Sequence, residues 1–435
     1  MKNEILKEYS TISQFAEKVK INRSIFSLIF RKNSRKPISF AQLTKITLAL
    51  GYREEHFFSL YINECFFEGK PNRSRIEPFL IRCAELHCQP YMDQVLFRLG
   101  TNYSEQYWPL IFEISEKLVR TLNKNHIFIL LNWLVKYNVN QKPEHIAIVY
   151  YRIFRISLGE DNAKNLRTAL RFEPHLQAIP DELRLDALLQ LTNIYFNLAK
   201  WKEVEGYADE LRALAENVYF THQSGFSFST DRHPVVYYGQ SYLQKGNALE
   251  HQHLYDESVR YISKYEDLSW FPNLDNLGHT EVQKFSHWAE ANRLNLAILK
   301  GDHSVLDEYT AFLERHPHEI FPSLLTIMES ANQYNFCVCQ LLDKFKAFIM
   351  KETEGNYYGE LFNLNRRASL YCRIAIYYAK RKHYEDAEQF AALALTLSEE
   401  LNNTQHFRML ASLSVSYLSG SLEDDPSRSQ EFDLQ

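Results

Sequence analysis

Residues 13–51 read SQFAEKVKINRSIFSLIFRKNSRKPISFAQLTKITLALG. Phe15, Ala16 and Val19 stand at i, i+1 and i+4, the buried stripe of a short amphipathic helix. Lys20-Ile21-Asn22 breaks that pattern. Asn22 is a good N-cap for a second helix, because its side chain can accept a backbone N–H that the helix start leaves orphaned. The second helix buries Phe26, Ile29 and Phe30 and leaves Arg23, Ser24, Ser27 and Arg31 facing out. A turn is expected over 33–37 and a third amphipathic helix over 39–50, closed by Gly51 at the C-cap.

The outward set suits a nucleic-acid face. Arginine can fork onto a guanine edge, small hydroxyls reach bases or phosphates, and basic side chains neutralise backbone charge. Arg31, Lys32, Arg35 and Lys36 follow the second helix, where it would leave a groove beside a phosphate strand. Residues 1–50 hold ten Lys/Arg and three acids, a formal +7, whereas the whole chain is −5 and residues 51–435 are therefore −12. A basic head on an acidic body is the asymmetry expected when only the head touches DNA.

The segment resembles the lambdoid-repressor type of helix-turn-helix. The match runs through Phe15-Ala16-Glu17-Lys18-Val19, Asn22-Arg23-Ser24, Arg35-Lys36-Pro37 and the third helix with Leu43, Ile46, Leu48, Ala49, Leu50 and Gly51. The resemblance implies base contacts from Arg23, Ser24 and Ser27, and phosphate contacts near Asn22, Arg31 and Lys36. Lys20 stands where that type has a small residue or glycine, and Leu28 where a polar residue is common, so base specificity is not carried over. Such modules bind as dimers on two half-sites, since one buries too little surface for useful selectivity.

A chain of 435 residues, 45% apolar, with 13 Gly and 13 Pro, suits a large and mostly helical protein. No apolar leader follows Met1, and the apolar stretch at 127–135 is too short to span a membrane, so a cytoplasmic location is expected. The six cysteines, at 65, 83, 88, 337, 339 and 372, form no CxxC pair and are expected to be buried, reduced thiols. There is no Gly-rich phosphate loop, nucleophile elbow or HExxH, so no enzyme, cofactor or metal is expected. His251-Gln252-His253 would project its imidazoles to different helix faces, and His316-Pro317-His318 flanks a helix break.

Beyond Gly51 the chain carries paired amphipathic segments. Four are plain: LLQLTNIYFNLAKWKEVEGYADEL at 188–211, YLQKGNALEHQHLYDESVRYISKY at 242–265, NRLNLAILKGDHSVLDEYTAFL at 292–313 and YCRIAIYYAKRKHYEDAEQFAALA at 371–394. Each has an apolar first helix, a turn, and an aromatic or small residue opening a second helix. They resemble the tetratricopeptide repeat, most clearly through Ala375, Tyr378, Tyr384, Ala387 and Ala394. The expected fold is all-α: a helix-turn-helix domain over 1–68, a tetratricopeptide-like right-handed superhelix over 69–418, and a disordered tail over 419–435.

In three repeats asparagine occupies the same slot of the first helix: Asn193, Asn247 and Asn295, with Asn197 and Asn292 one turn away. In the repeat family that slot faces the concave groove, and a carboxamide offers the donor and acceptor that clamp an extended peptide. Phe196, Glu250, Arg293 and Tyr334 are further candidates for pocket walls or charge partners. The combined architecture resembles the cytoplasmic peptide-pheromone receptors of Gram-positive bacteria and their phages, including the arbitrium receptors that set lysis against lysogeny. Residues 75–99 are similar to the first helical pair of the arbitrium type. The resemblance implies a homodimeric, quorum-sensing transcription regulator that binds operator DNA and a short signalling peptide. Two alternatives stay open. One is a repeat protein that sequesters a partner, with a head that reads no specific DNA; the other is a repressor with no ligand.

Overall fold

The computed structural model describes residues 1–31, 35–119, 124–159, 161–221, 232–350, 360–400 and 410–411. Lys32 and the expected tail at 419–435 lie outside them. Among the described residues the chain is all-helical, with 21 α-helices and no strand. No helix there is long and apolar enough to cross a membrane. Two compact units divide at Ala199/Lys200. The first holds α1 (Lys2–Glu8), α2 (Ile12–Lys18), α3 (Arg23–Ile29), α4 (Phe40–Ala49), α5 (Phe58–Cys65), α6 (Arg73–Glu85) and α7 (Gln89–Asn102). It continues with α8 (Ser104–Val119), α9 (Lys124–Lys136), α10 (Pro143–Ser157), α11 (Asn162–Phe172) and α12 (Asp181–Asn197). The second holds α13 (Trp201–Thr221), α14 (Pro234–His251), α15 (Tyr255–Ile262), α16 (Asn276–Leu299), α17 (Leu306–Arg315), α18 (Ile320–Tyr334), α19 (Cys339–Met350), α20 (Glu360–Lys380) and α21 (Tyr384–Glu400).

One hydrogen-bond pattern ends helix after helix. At Lys20, Gly51, His87, His253, Gly301 and Lys382 the backbone turns left-handed, with φ of 54, 72, 58, 61, 87 and 64°. In each case that residue's N–H bonds the carbonyl three residues back, and the next N–H bonds the carbonyl five back, as in Lys20→Glu17 and Ile21→Ala16. This double bond satisfies carbonyls that the helix end would otherwise orphan, and it reverses the chain within a few residues. Only two of the six positions are glycine. The lysines and histidines hold a conformation that costs an L-residue about 1 kcal/mol, so packing of the flanking helices must offset it.

In the first unit a single apolar core runs from Ile5 to Ile153 without a break. It crosses the expected domain boundary at 68/69: the rings of Phe40, Phe58 and Tyr61 lie 5.7, 5.1 and 5.2 Å from that of Phe79 on α6. Arg82 of α6 adds a two-pronged bond to Glu54, at 2.9 and 2.7 Å. Further along, the buried indoles of Trp108 and Trp133 donate to the carbonyls of Leu134 and Leu96, at 3.0 and 2.8 Å. Buried Asp186 on α12 accepts from Tyr151 at 2.8 Å and pairs with Arg155 at 2.6 Å, both on α10.

In the second unit the long helices α14, α16, α18 and α20 touch one another in series, and α13, α15, α17 and α21 each pack beside at least one of them. The first set forms one continuous layer. Small residues let it close up: a Cβ on Gly239 of α14 would sit 2.4 Å from the ring of Phe285 on α16. Ser258 of α15 donates to the carbonyl of Gly246 on α14 at 2.8 Å. Ser330 of α18 donates to the carbonyl of Ile298 on α16. Asn332 of α18 donates to the carbonyl of Arg373 on α20 at 2.9 Å, and Lys380 returns a bond to the Asn332 carbonyl at 2.7 Å.

These features set two opposite expectations for glycine. Lys20→Gly relieves a left-handed L-residue worth about 0.5–1 kcal/mol, so amide exchange of α2 and α3 should slow about 2–5-fold. Unchanged protection would show that the turn carries no strain. Gly239→Ala drives a methyl into the fully buried ring of Phe285 and should cost about 1–3 kcal/mol, read as a lowered melting temperature. A melting temperature equal to that of the wild type would mean that α14 and α16 are not held this close.

Candidate functional site

Two surfaces carry most of the residues singled out in the sequence, one in each unit. On the first, Phe15, Ala16, Phe26 and Ile29 lock α2 against α3, with the Phe15 and Phe26 rings 5.8 Å apart and edge-on. The left-handed Lys20 and the Asn22 cap set the entry to α3. Asn22 accepts both the backbone N–H and the hydroxyl of Ser24, each at 2.9 Å, so its carboxamide holds the helix start. Ser27 donates weakly to the Arg23 carbonyl at 3.4 Å. Arg23, Ser24, Ser27 and Arg31 are all exposed on this face.

The segment after α3 folds back on it, the Lys36 N–H donating to the Leu28 carbonyl at 3.0 Å. This keeps exposed Lys36 beside α3. Arg35 behaves differently. Its guanidinium bonds Glu64 of α5 at 2.6 Å and stacks over the Phe67 ring at 4.9 Å. The second oxygen of Glu64 accepts the Ile38 N–H at 3.1 Å. Arg35 thus ties the connection between α3 and α4 to α5, and its charge is already matched inside the chain. Arg23, Arg31 and Lys36 have no acidic partner among the described residues. Exposed cations left unpaired keep their field available to an external polyanion.

On the second unit, Asn247 and Glu250 lie one turn apart on α14, hence on one face. Asn292 and Asn295 are likewise paired on α16. Two buried tyrosines anchor the α16 pair. Asn292 donates to the Tyr265 hydroxyl at 3.0 Å, and the Tyr309 hydroxyl donates to Asn295 Oδ1. Tyr265 and Tyr309 both feel the charge of Glu250. The asparagines retain open polar groups among the described residues: Asn292 its carbonyl oxygen, Asn295 its amide nitrogen, and Asn247 both. The Glu250 carboxyl has neither a hydrogen bond nor a cation there. Burial pushes its carboxyl up to about 7, and the nearby Glu329 carboxylate on α18 adds to the shift.

The other sequence candidates have different surroundings. Arg293 is exposed and its charge is spent on Glu266. Tyr334 donates to the Leu299 carbonyl at 3.1 Å, and its ring lies where a Cβ on Gly301 would be 3.1 Å away, so it seals the corner between α16 and α17. Asn193 and Phe196 are half-buried and Asn197 exposed on α12, in the first unit. Sequence reasoning missed Glu329, Tyr265 and Tyr309. Their only sequence signal is helical spacing, which does not say that the tyrosines bond Asn292 and Asn295 or that Glu329 acts on Glu250. No protein-family model matches the chain, and no curated protein does either.

Glu250 yields a signed prediction. In the unfolded chain its carboxyl titrates near the ordinary value of about 4.3. Between that value and about 7 the folded state keeps a proton that the unfolded chain has lost. Stability therefore falls as pH rises through this window. Glu250→Gln should leave melting at about pH 4.5 unchanged and stabilise the chain by about 1–3 kcal/mol at about pH 8. A wild-type/variant difference that does not vary with pH would show that Glu250 titrates normally.

Proposed function

We propose that this chain is a DNA-binding transcription regulator whose affinity for its operator is set by a short peptide held on the helical array. The observation that carries the reading is the α2–turn–α3 unit, which presents Arg23, Arg31 and Lys36 unpaired on one exposed face of a segment with a formal charge of +7 over residues 1–50. In this reading α2, α3 and the turn between them form a helix-turn-helix. The second helix, α3, enters the major groove with Arg23, Ser24 and Ser27 toward base edges. Arg31 and Lys36 neutralise the flanking phosphates, and Lys32 belongs with them by sequence position. Asn22 acts at one remove by capping α3, and Arg35 by bracing the connection to α4 against Glu64.

The stacked layer of α14, α16, α18 and α20 is read as a tetratricopeptide-like array. Its open carboxamides on Asn247, Asn292 and Asn295 suit the backbone of an extended peptide, and the uncompensated carboxyl of Glu250 suits a positively charged group on it. A peptide that favours one curvature of the array shifts the population toward it. In a homodimer this alters the spacing of two heads that must meet half-sites at a fixed distance, and so alters DNA affinity.

The test is selection of bound fragments from the host genome by the full chain at two salt concentrations. A discrete, dyad-symmetric site is expected, with binding that weakens steeply as salt rises. Arg23→Ala should lower affinity for that site by about 1–3 kcal/mol, while Lys36→Ala weakens all sequences alike and flattens the salt slope. No enriched site at either concentration would turn the reading toward a repeat protein that sequesters a partner.

A further inference from the structure

Three of the cysteines depart from the expectation of buried thiols: half-buried Cys88 stands alone, and the other two form a pair. Cys337 is exposed, and its sulfur lies 3.1 Å from that of half-buried Cys339. The cause is local. After α18 the chain turns through left-handed Asn335 (φ 59°) and runs without helix to Cys339, which opens α19. Phe336 and Val338 are buried, 7% and 2% exposed, whereas Cys337 between them is exposed and Cys339 half-buried.

The surroundings fix this pair and polarise it. Buried Tyr377 on α20 accepts the Val338 N–H at 2.8 Å, and its hydroxyl lies 3.3 Å from the Cys339 sulfur and 3.7 Å from that of Cys337. Arg381 stacks on the Tyr377 ring at 3.8 Å and donates through Nη2 to the Phe336 carbonyl at 2.7 Å. Its other terminal nitrogen, Nη1, is buried without a hydrogen-bond partner among the described residues. The Cys339 N–H and thiol, then Tyr377 and the Arg381 charge, hold the Cys337 thiol below its ordinary range. Burial raises Cys65, Cys83, Cys88 and Cys372 instead.

We propose that Cys337 and Cys339 form an oxidation-sensitive dithiol that a hydroperoxide converts to an intrachain disulfide, with Cys337 attacking and Cys339 resolving. The Cys337 thiolate attacks one peroxide oxygen; the S–O bond forms as the O–O bond breaks, and the departing oxygen takes up a proton. With hydrogen peroxide this gives sulfenic acid and water. The Cys339 sulfur, giving up its proton, then attacks the Cys337 sulfur; the S–S bond forms as the S–O bond breaks, and a second water leaves. Two thiols lose two electrons in all, and the peroxide gains them. The sulfurs need to close from 3.1 Å to about 2.05 Å, a rotation of the two side chains on a backbone that already places them together.

The test treats the full reduced chain with substoichiometric hydrogen peroxide, alkylates the remaining thiols and maps tryptic peptides by mass. The peptide spanning 316–344 should lose about 2 Da and resist alkylation until a reductant is added. Cys88, the half-buried internal control, should react at least about ten-fold more slowly. In Cys339→Ser a sulfenic acid at Cys337 should be trapped by dimedone, and in Cys337→Ser the fast reaction should vanish. Oxidation of Cys88 at the same rate as the pair, or no bridged 316–344 peptide, would overturn the proposal without recourse to any variant.

Discussion

A helix that ends must satisfy its last carbonyls and send the chain back, and one left-handed residue does both. The six turns from Lys20 to Lys382 use the same pair of backbone bonds, so successive helices reverse within a few residues and lie side by side. Two amphipathic helices joined this way still expose apolar surface, which the next pair covers. From this follow the long core of the first unit and the continuous layer of α14, α16, α18 and α20 in the second. The turn between α2 and α3 is one member of that series. The surface around Arg23 is thus built by the same device as the body.

The charged residues divide by whether the fold has already used them. Arg35, Arg82, Arg155 and Arg293 are matched to carboxylates, and they hold connections and helices in place. Arg23, Arg31 and Lys36 face out beside α3 without an acidic partner among the described residues. Glu250 is the acidic counterpart: a carboxyl pushed up to about 7, with Glu329 rather than a cation nearby. Unmatched charge costs stability where it is partly buried, and it is retained at low cost only where water or a ligand reaches it. The basic face and the Glu250 carboxyl are two places, among the described residues, where charge is left unmatched by the fold.

Much of the local structure could be read directly from residues. The 3.6-residue period placed α2, α3 and α4 within a residue or two, and Asn22 and Gly51 perform the capping expected of them, while Ser39 adds a capping box at the start of α4. The four repeat segments each coincide with a helix, a turn and a second helix. The turns were less legible, since four of the six left-handed positions are lysine or histidine, which carry no turn signal. The expected boundary at 68/69 is crossed by ring contacts between Phe79 and Phe40, Phe58 and Tyr61. A change in charge along the chain says nothing about which aromatic rings meet.

The sequence by itself determined what depends on neighbours along the chain: helix positions, caps, the amphipathic stripes, the basic composition of the first 50 residues and the all-helical class. Tertiary structure decided what depends on residues distant in sequence. It matched Arg35 to Glu64, bonded Tyr265 and Tyr309 to Asn292 and Asn295, and set Tyr377 and Arg381 against the Cys337–Cys339 corner. The reason is range. Helix propensity and capping act over four or five residues, whereas burial, ion pairing and the shift of a titrating group are set by whichever helix the packing brings alongside.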